Sequence, residues 1–255
     1  LSQMPGLAKA WLSLADLYSA MGDSTSADRA YGKYLQYSAS NPRLMAAATA
    51  MVENRIPVAE RALKDYLKDS PTDVAAIRML AEVAARLGRD LDAENLLARC
   101  LELAPGFQFA RQNYAYVLNR SNQFEQSLRQ ADILLQSNPG NLSFKNLKAV
   151  ALSKIGDYQN AIKLYDDVLA ENPGYSKIWH SFGHTLKTAG LLERAIAAYR
   201  KSIELEPAFG EAYWSLANLK TFRFTDQDVG EMRSQLESQQ LTEEERFHFD
   251  FALGK

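Results

Sequence analysis

An all-α fold, a solenoid of antiparallel helix pairs, is predicted by two regularities and one absence. Prolines stand at positions 71, 105, 139, 173 and 207, always 34 residues apart, and a fixed period of that size marks stacked supersecondary units. Small residues keep the same step. Counting each unit from the third residue after its proline, the eighth position reads Ala81, Ala115, Ala149, Gly183 and Ala217. No stretch alternates apolar and polar residues as a half-buried strand would.

Each unit divides into two helices. The first presents its small eighth residue, which lets a neighbouring helix approach closely. The second repeats a packing stripe through its twentieth position (Ala93, Ser127, Ala161, Ala195) and its twenty-fourth (Leu97, Ala131, Tyr165, Tyr199), four residues apart and so on one helix face. The turn between them carries Gly88, Asn122, Gly156 and Gly190 in one column. Glycine and asparagine are the residues that most readily take the left-handed conformation ending a helix. Near the N-terminus the proline comes late, at Pro42, and the unit over 45–73 falls about five residues short, so a trimmed or kinked first helix or turn is expected there. After Pro207 one more first-type helix begins, "EAYWSLANLK", and the pattern breaks at "TFRFTDQD". Thr225 with Asp228, and Thr242 with Glu245, read as reciprocal N-caps and place helices near 226–238 and 243–253. The last of these would carry Phe247 and Phe251 on one face with no partner left to bury them, as at a truncated end or a cap. The expected division is 1–220 for six helix pairs plus a seventh first helix, and 221–255 for an irregular helical cap or the start of a connection to a further domain.

At 255 residues, 47% hydrophobic and 24% charged, the chain has a globular rather than a disordered composition. A formal net charge of −2 lacks the basic excess of a nucleic-acid binder, so any basic surface must be local and nucleic acid is not an expected partner. No apolar run approaches the roughly 20 residues that span a bilayer, and no membrane partner is expected. The single cysteine, Cys100, excludes an internal disulfide and a multi-cysteine zinc site, and fits a reducing, cytoplasmic setting. Opening on Leu1 rather than Met, the sequence reads as a fragment or processed product.

The unit over 177–207, "W..FG..L" then "A...Y" then "P", resembles the tetratricopeptide repeat, with Trp179, Gly183, Ala195, Tyr199 and Pro207 at the signature positions. The opening "WLSLADLYSAMGD" resembles it as well, through Trp11, Leu14, Tyr18 and Gly22, followed in register by Ala27 and Tyr31. This resemblance implies a right-handed superhelix whose first helices line a concave groove with their fifth and ninth positions. Beyond the generic repeat, "SFGHTLKTAG" at 181–190, "EAYWSLANLKTFRF" at 211–224 and "FALGK" at 251–255 resemble the repeat region of bacterial proteins in which such repeats run into a sulfotransferase domain. That likeness covers mostly residues 142–255. It implies a catalytic domain beyond Lys255 that uses 3′-phosphoadenylyl sulfate. The donor's phosphates need a strand, a glycine- or serine-bearing loop and a helix N-terminus, and neither GxGxxG nor GxxxxGK occurs. This chain is therefore not expected to catalyse sulfation, and no cofactor is expected for it.

His180 and His184, four residues apart on one helix face, raise the question of a metal site. They fill the fifth and ninth positions of their unit, where the other units carry Arg78, Gln112, Asn146, Trp214 and Glu82, Tyr116, Val150, Asn218. Columns that vary in chemistry while the packing columns stay constant are expected to face solvent, so both histidines are read as groove wall. Zinc needs a third protein ligand. The third histidine, His248, lies outside the repeats, no carboxylate is read in an adjacent groove column, and no metal is expected.

Positions two, twelve and thirteen extend the groove and gather Arg78, Arg86, Arg120, Lys154, Lys177 and Lys187 against Glu82 alone, a basic groove in a nearly neutral chain. Asn113 and Asn146 add carboxamides, which donate to and accept from a peptide backbone at once. The expected function is a protein-interaction scaffold holding an extended, acidic polypeptide, with contacts from Arg78, Gln112, Asn113, Tyr116, Arg120, Asn146, Lys154, Lys177, His180, His184, Lys187, Trp214 and Asn218. The competing reading is an ordinary solvated face. Trp214 is either an exposed aromatic anchor or is covered by the helices after 225. Tyr116 and Phe109 point toward the groove, Tyr114 holds a packing column, and Cys100, aligned with Leu134, Val168 and Ser202, is a packing residue. Presentation of an acceptor to a sulfotransferase domain, and self-association through the C-terminal helices, are the alternative functions.

Overall fold

A computed structural model describes residues 5–237 and 241–255, and every regular element among them is a helix. The helices are α1 (Pro5–Ala20), α2 (Ser24–Ala39), α3 (Pro42–Val52), α4 (Ile56–Asp69), α5 (Val74–Arg86), α6 (Asp90–Leu103), α7 (Gln108–Arg120), α8 (Phe124–Ser137), α9 (Leu142–Lys154), α10 (Tyr158–Glu171), α11 (Ser176–Thr188), α12 (Leu192–Leu205), α13 (Gly210–Ala217), α14 (Asp226–Glu237) and α15 (Glu243–Leu253). They form a solenoid of helix pairs, in two compact units over residues 1–147 and 148–255. None is long and apolar enough to cross a membrane.

The packing columns are the buried ones. Ala81, Ala115 and Ala149, then Ala93, Ala161 and Ala195, then Leu97, Ala131, Tyr165 and Tyr199, are at most 1% exposed. Cys100 is equally buried and its thiol is pushed up to about 12 by loss of water, so it packs rather than reacts. The expected turn residues are left-handed, Gly88, Gly156 and Gly190 with φ between 72° and 91° and Asn122 with φ of 58°, and Gly22 (φ 78°) and Asn54 (φ 56°) play the same part in the first two hairpins. The next N–H then closes on the carbonyl five residues back, as in Arg89 to Ala84 (2.9 Å), Gln123 to Leu118 (2.8 Å) and Leu191 to Leu186 (2.9 Å). This bond pattern satisfies carbonyls that a helix end leaves open.

Within residues 1–147 the short second unit has a simple origin. Elsewhere the repeat proline stands three residues before its first helix, and that helix is 13 residues long, as in α5 and α7. Here Pro42 is itself the first residue of α3, capped by Asn41, and α3 is 11 residues long. Counted from the proline, the unit is short because Pro42 stands three positions later relative to its helix than the other repeat prolines and because α3 is two residues shorter, while α4 keeps the 14 residues of a standard second helix. Asp73, the N-cap of α5, then collects the Tyr34 and Tyr66 hydroxyls at 2.9 Å each, which fastens α2 and α4 to the start of the following repeat.

Within residues 148–255 the seventh first helix, α13, does find a partner. α14 and α15 begin where the N-cap pairs place them. Thr225 and Asp228 bond reciprocally (3.2 Å and 2.8 Å), and Thr242 and Glu245 form a capping box. It is α15 that lies along α13. Tyr213 of α13 meets Phe249 at 5.1 Å between ring centroids, and a Cβ at Gly210 would sit 2.7 Å from the Glu245 carbonyl oxygen. The expectation that Phe247 and Phe251 lack partners is therefore corrected in part. α15 buries Phe249 and Ala252 completely, Phe251 is half-buried against Trp214, and Phe247 remains 64% exposed. Three phenylalanines at steps of two cannot share one helix face, and the face opposite Tyr213 takes Phe249. Asp228 anchors α14 to α12 through a two-pronged contact with Arg200, which holds its carboxyl down at about 2.

Candidate functional site

In residues 1–147 the arginines assigned to the groove already have carboxylate partners. On α5, Arg78 and Arg86 stand four residues to either side of Glu82 and both reach it, at 3.6 Å and 2.6 Å. Arg86 also donates to the Met51 carbonyl at 3.0 Å, near the end of α3. Arg120, at the end of α7, pairs with Asp90 (3.0 Å) and donates to the Ala85 carbonyl (3.0 Å). A cation beside C-terminal helix carbonyls is favoured by the helix dipole. Arg86 and Arg120 are therefore joints between successive repeats, Arg78 stays within α5, and the three share two carboxylates, which corrects the count that set them against Glu82 alone. Gln112, Asn113 and Asn146 are half-buried, and Asn146 Oδ1 is buried without a hydrogen-bond partner among the described residues. Tyr116 and Phe109 are exposed, and Tyr114 packs in the core.

In residues 148–255 the lysines differ. Lys154 and Lys177 are exposed and Lys187 is half-buried, and none of the three has a carboxylate ion-pair partner among the described residues. Lys177 stands over the Phe209 ring at 5.9 Å and acts on the Glu245 carboxyl from a distance.

His180 departs most from its expected place. It is only 5% exposed, enclosed by the rings of Phe209 (5.1 Å), Tyr199 (5.6 Å) and His184 (4.5 Å). The groove-wall assignment is corrected for it: its ring is a packed core group between α11, α12 and α13. Its Nε2 lies 2.8 Å from the Ser215 hydroxyl of α13, and the Glu211 carbonyl bonds the same ring. His184 is half-buried, with Nδ1 3.2 Å from the Tyr199 hydroxyl and Nε2 3.5 Å from Ser215 Oγ. Burial pushes His180 down to about 3, with His184, His248 and Lys187 adding to it, and pushes His184 down to about 4, aided by Lys187 and Lys154. Both rings are neutral at neutral pH.

The residue that column reading missed is Glu211. It holds the second position of its unit, as Lys177 does, and its carboxylate lies with the His180 and His184 nitrogens inside a circle of 4.8 Å. The statement that no carboxylate neighbours the histidines is corrected accordingly. The available signal was the i, i+4 pair Glu211 and Ser215, one turn apart on the helix that follows the histidine pair. Trp214 is half-buried, its ring 5.9 Å from His248 and 6.0 Å from Phe251, so α15 covers part of it. Asn218 is exposed and its amide bonds the Trp214 carbonyl at 2.9 Å, closing α13.

Profiles described as tetratricopeptide repeat match residues 8–41, 44–106, 115–176 and 155–219. A search of curated proteins gives no match. Solved structures show the same fold at low identity. A tetratricopeptide repeat protein from Parabacteroides merdae ATCC 43184 superposes with a TM-score of 0.69 at 13% identity, over 97% of this chain and 99% of that one. YrrB, described as a TPR protein with an unusual peptide-binding site, gives 0.54 at 16% identity, over 68% and 89%. MamA from Desulfovibrio magneticus RS-1 gives 0.58 at 17% identity, over 65% and 94%. With repeat profiles covering well over half its length, and with hairpin turns and packing columns in register, the chain belongs to the tetratricopeptide-repeat family.

Proposed function

We propose that this chain is a non-catalytic interaction scaffold that holds an extended, acidic polypeptide, with the lysines of residues 148–255 as its principal contacts. The observation that carries this reading is the contrast in charge balance. Arg78 and Arg86 share Glu82 and Arg120 pairs with Asp90, whereas Lys154, Lys177 and Lys187 have no carboxylate ion-pair partner among the described residues. An acidic side chain arriving at these lysines would gain a charge partner without displacing an existing one. Gln112, Asn113 and Tyr116 on α7 form a separate polar, accessible face in residues 1–147, suited to a peptide backbone. Likeness to YrrB supports peptide binding as the general mode. The buried, free Cys100 fits a reducing, cytoplasmic setting.

The test is fluorescence anisotropy of labelled acidic and basic peptides at low and moderate salt. Acidic peptides are expected to bind, to weaken with salt, and to lose about tenfold in affinity, or about 1.4 kcal/mol, when Lys177 and Lys187 are both replaced by alanine. Equal binding by that variant, or preference for basic peptides, would refute the reading.

A second reading, presentation of a sulfate acceptor to a sulfotransferase domain, draws on the two helices that follow the repeats, α15 laid along α13 and α14 tied to α12. It requires a hydroxyl-bearing residue in the bound peptide, and indifference to removing that hydroxyl counts against it. Self-association through α15 draws on exposed Phe247. Light scattering that shows a monomer at high concentration removes it.

A further inference from the structure

We propose that His180, His184 and Glu211 form a divalent-cation site of zinc type, with two imidazole nitrogens, one carboxylate oxygen and a fourth position open to water or a ligand. The argument begins with geometry. α11 presents His180 and His184 one turn apart, and α13 presents Glu211 and Ser215 one turn apart, so two helix faces meet rung to rung. One ligand atom from each of His180, His184 and Glu211 lies within 4.8 Å of the other two. Zinc about 2.0–2.1 Å from three tetrahedral donors sets those donors about 3.4 Å apart. Side-chain rotation of roughly an ångström closes the difference, and Glu211, half-buried at the open side, has the freedom to make it.

Donor chemistry points the same way. The two Nε2 atoms converge on a single hydroxyl, Ser215 Oγ, at 2.8 Å and 3.5 Å. On His184 the other nitrogen, Nδ1, is already engaged by the Tyr199 hydroxyl at 3.2 Å, and the His180 ring also bonds the Glu211 carbonyl. Contacts of this kind orient a metal-binding imidazole and raise its basicity. In the tautomer that leaves both Nε2 atoms unprotonated, two lone pairs face one hydroxyl proton, and the 3.5 Å contact is left poorly served. A cation between the rings serves both. Two histidines and one glutamate, with a position left open, are a familiar zinc donor set.

Charge nearby sets a limit. Lys187 and Lys154 both act on His184 and oppose a cation, and the Glu211 carboxylate offsets one of them. Removing the Lys187 charge should therefore tighten the site, a sign that a merely structural histidine cluster has no reason to show. This inference goes beyond the peptide reading and does not depend on it.

The experiment uses the whole chain after dialysis against a chelator, titrated with Zn²⁺ by calorimetry and with Co²⁺ by visible absorption, whose intensity reports four-coordinate geometry. One equivalent is expected to bind. Glu211→Gln and His184→Ala should each weaken it at least tenfold, and Lys187→Met should tighten it severalfold. Glu211→Gln keeps the shape of the side chain and Lys187→Met leaves the His180 core untouched, so the test stands even where His184→Ala perturbs packing. No stoichiometric binding, or binding that Glu211→Gln and Lys187→Met leave unchanged, overturns the proposal.

Discussion

Gly183 and Gly32 are both helical glycines, and replacement of each by alanine should move stability in opposite directions. At Gly183 of α11 a Cβ would lie 2.5 Å and 2.6 Å from Cε1 and Cδ1 of Tyr199 and 3.0 Å from Cζ, where ordinary contact begins at 3.4 Å. The Tyr199 ring cannot retreat easily: it is fully buried, its hydroxyl is held at 3.2 Å by His184, and the rings of His180 and His184 close it in at 5.6 Å and 5.5 Å. An overlap of nearly an ångström on a rigid ring belongs at the upper end of overpacking costs, about 3 kcal/mol. Alanine's better helix propensity returns about 1 kcal/mol, leaving Gly183→Ala about 2 kcal/mol less stable than the parent. At Gly32 of α2 nothing lies within 4 Å of the added Cβ. Only the propensity term remains there, and Gly32→Ala should gain about 1 kcal/mol. Urea unfolding followed by far-UV circular dichroism, with the fluorescence of Trp179 and Trp214 reporting on α11 and α13, measures both. A Gly183→Ala protein as stable as its parent, or a common direction of change in the two variants, would refute the packing argument.

Two other measurements have defined outcomes. Asp228→Asn should cost about 1–2 kcal/mol at neutral pH, allowing for the solvent that reaches Arg200. Because the folded carboxyl sits at about 2 and the ordinary value is 3.8, that contribution is complete above about pH 5 and is lost as pH falls through 2. Urea curves of parent and variant should therefore converge on acidification, and a constant gap would contradict the pairing. Amide hydrogen exchange should be faster across α3 and α4 than across α11 and α12, because α3 has 11 residues where α11 has 13 and stability in a repeat array sums local interfaces. Equal protection would show the trimmed unit to be no weaker.

Most of the fold was legible because its packing obeys a short-range rule that repeats. Ala93, Ser127, Ala161 and Ala195 meet the same neighbour in every unit, so one register explains them all. Thr225 and Thr242 were readable for a related reason, since a cap is a contact between residues three apart. The site was less legible because its partners are set by a later helix. Column five changes chemistry from Arg78 to His180, which suggests solvent, yet α12 and α13 enclose that ring in this one unit. Glu211 sat in a column otherwise read through Lys177, and its approach to His180 and His184 depends on the facing of two helices 31 residues apart. Choice among Phe247, Phe249 and Phe251 likewise depended on α13, which the broken 34-residue step could not name as the partner of α15.

The pairing of α13 with α15 has a consequence for how the chain is made. Earlier hairpins join neighbours in sequence, so each can close as soon as its second helix leaves the ribosome. The last cannot. Once Gly210–Ala217 has been synthesised, Tyr213 and Trp214 must wait through the connection and all of α14 before Phe249 and Phe251 arrive to cover them. During that interval the growing end offers two bare aromatic rings to whatever is nearby, which makes it the step at which a nascent-chain chaperone has something to hold.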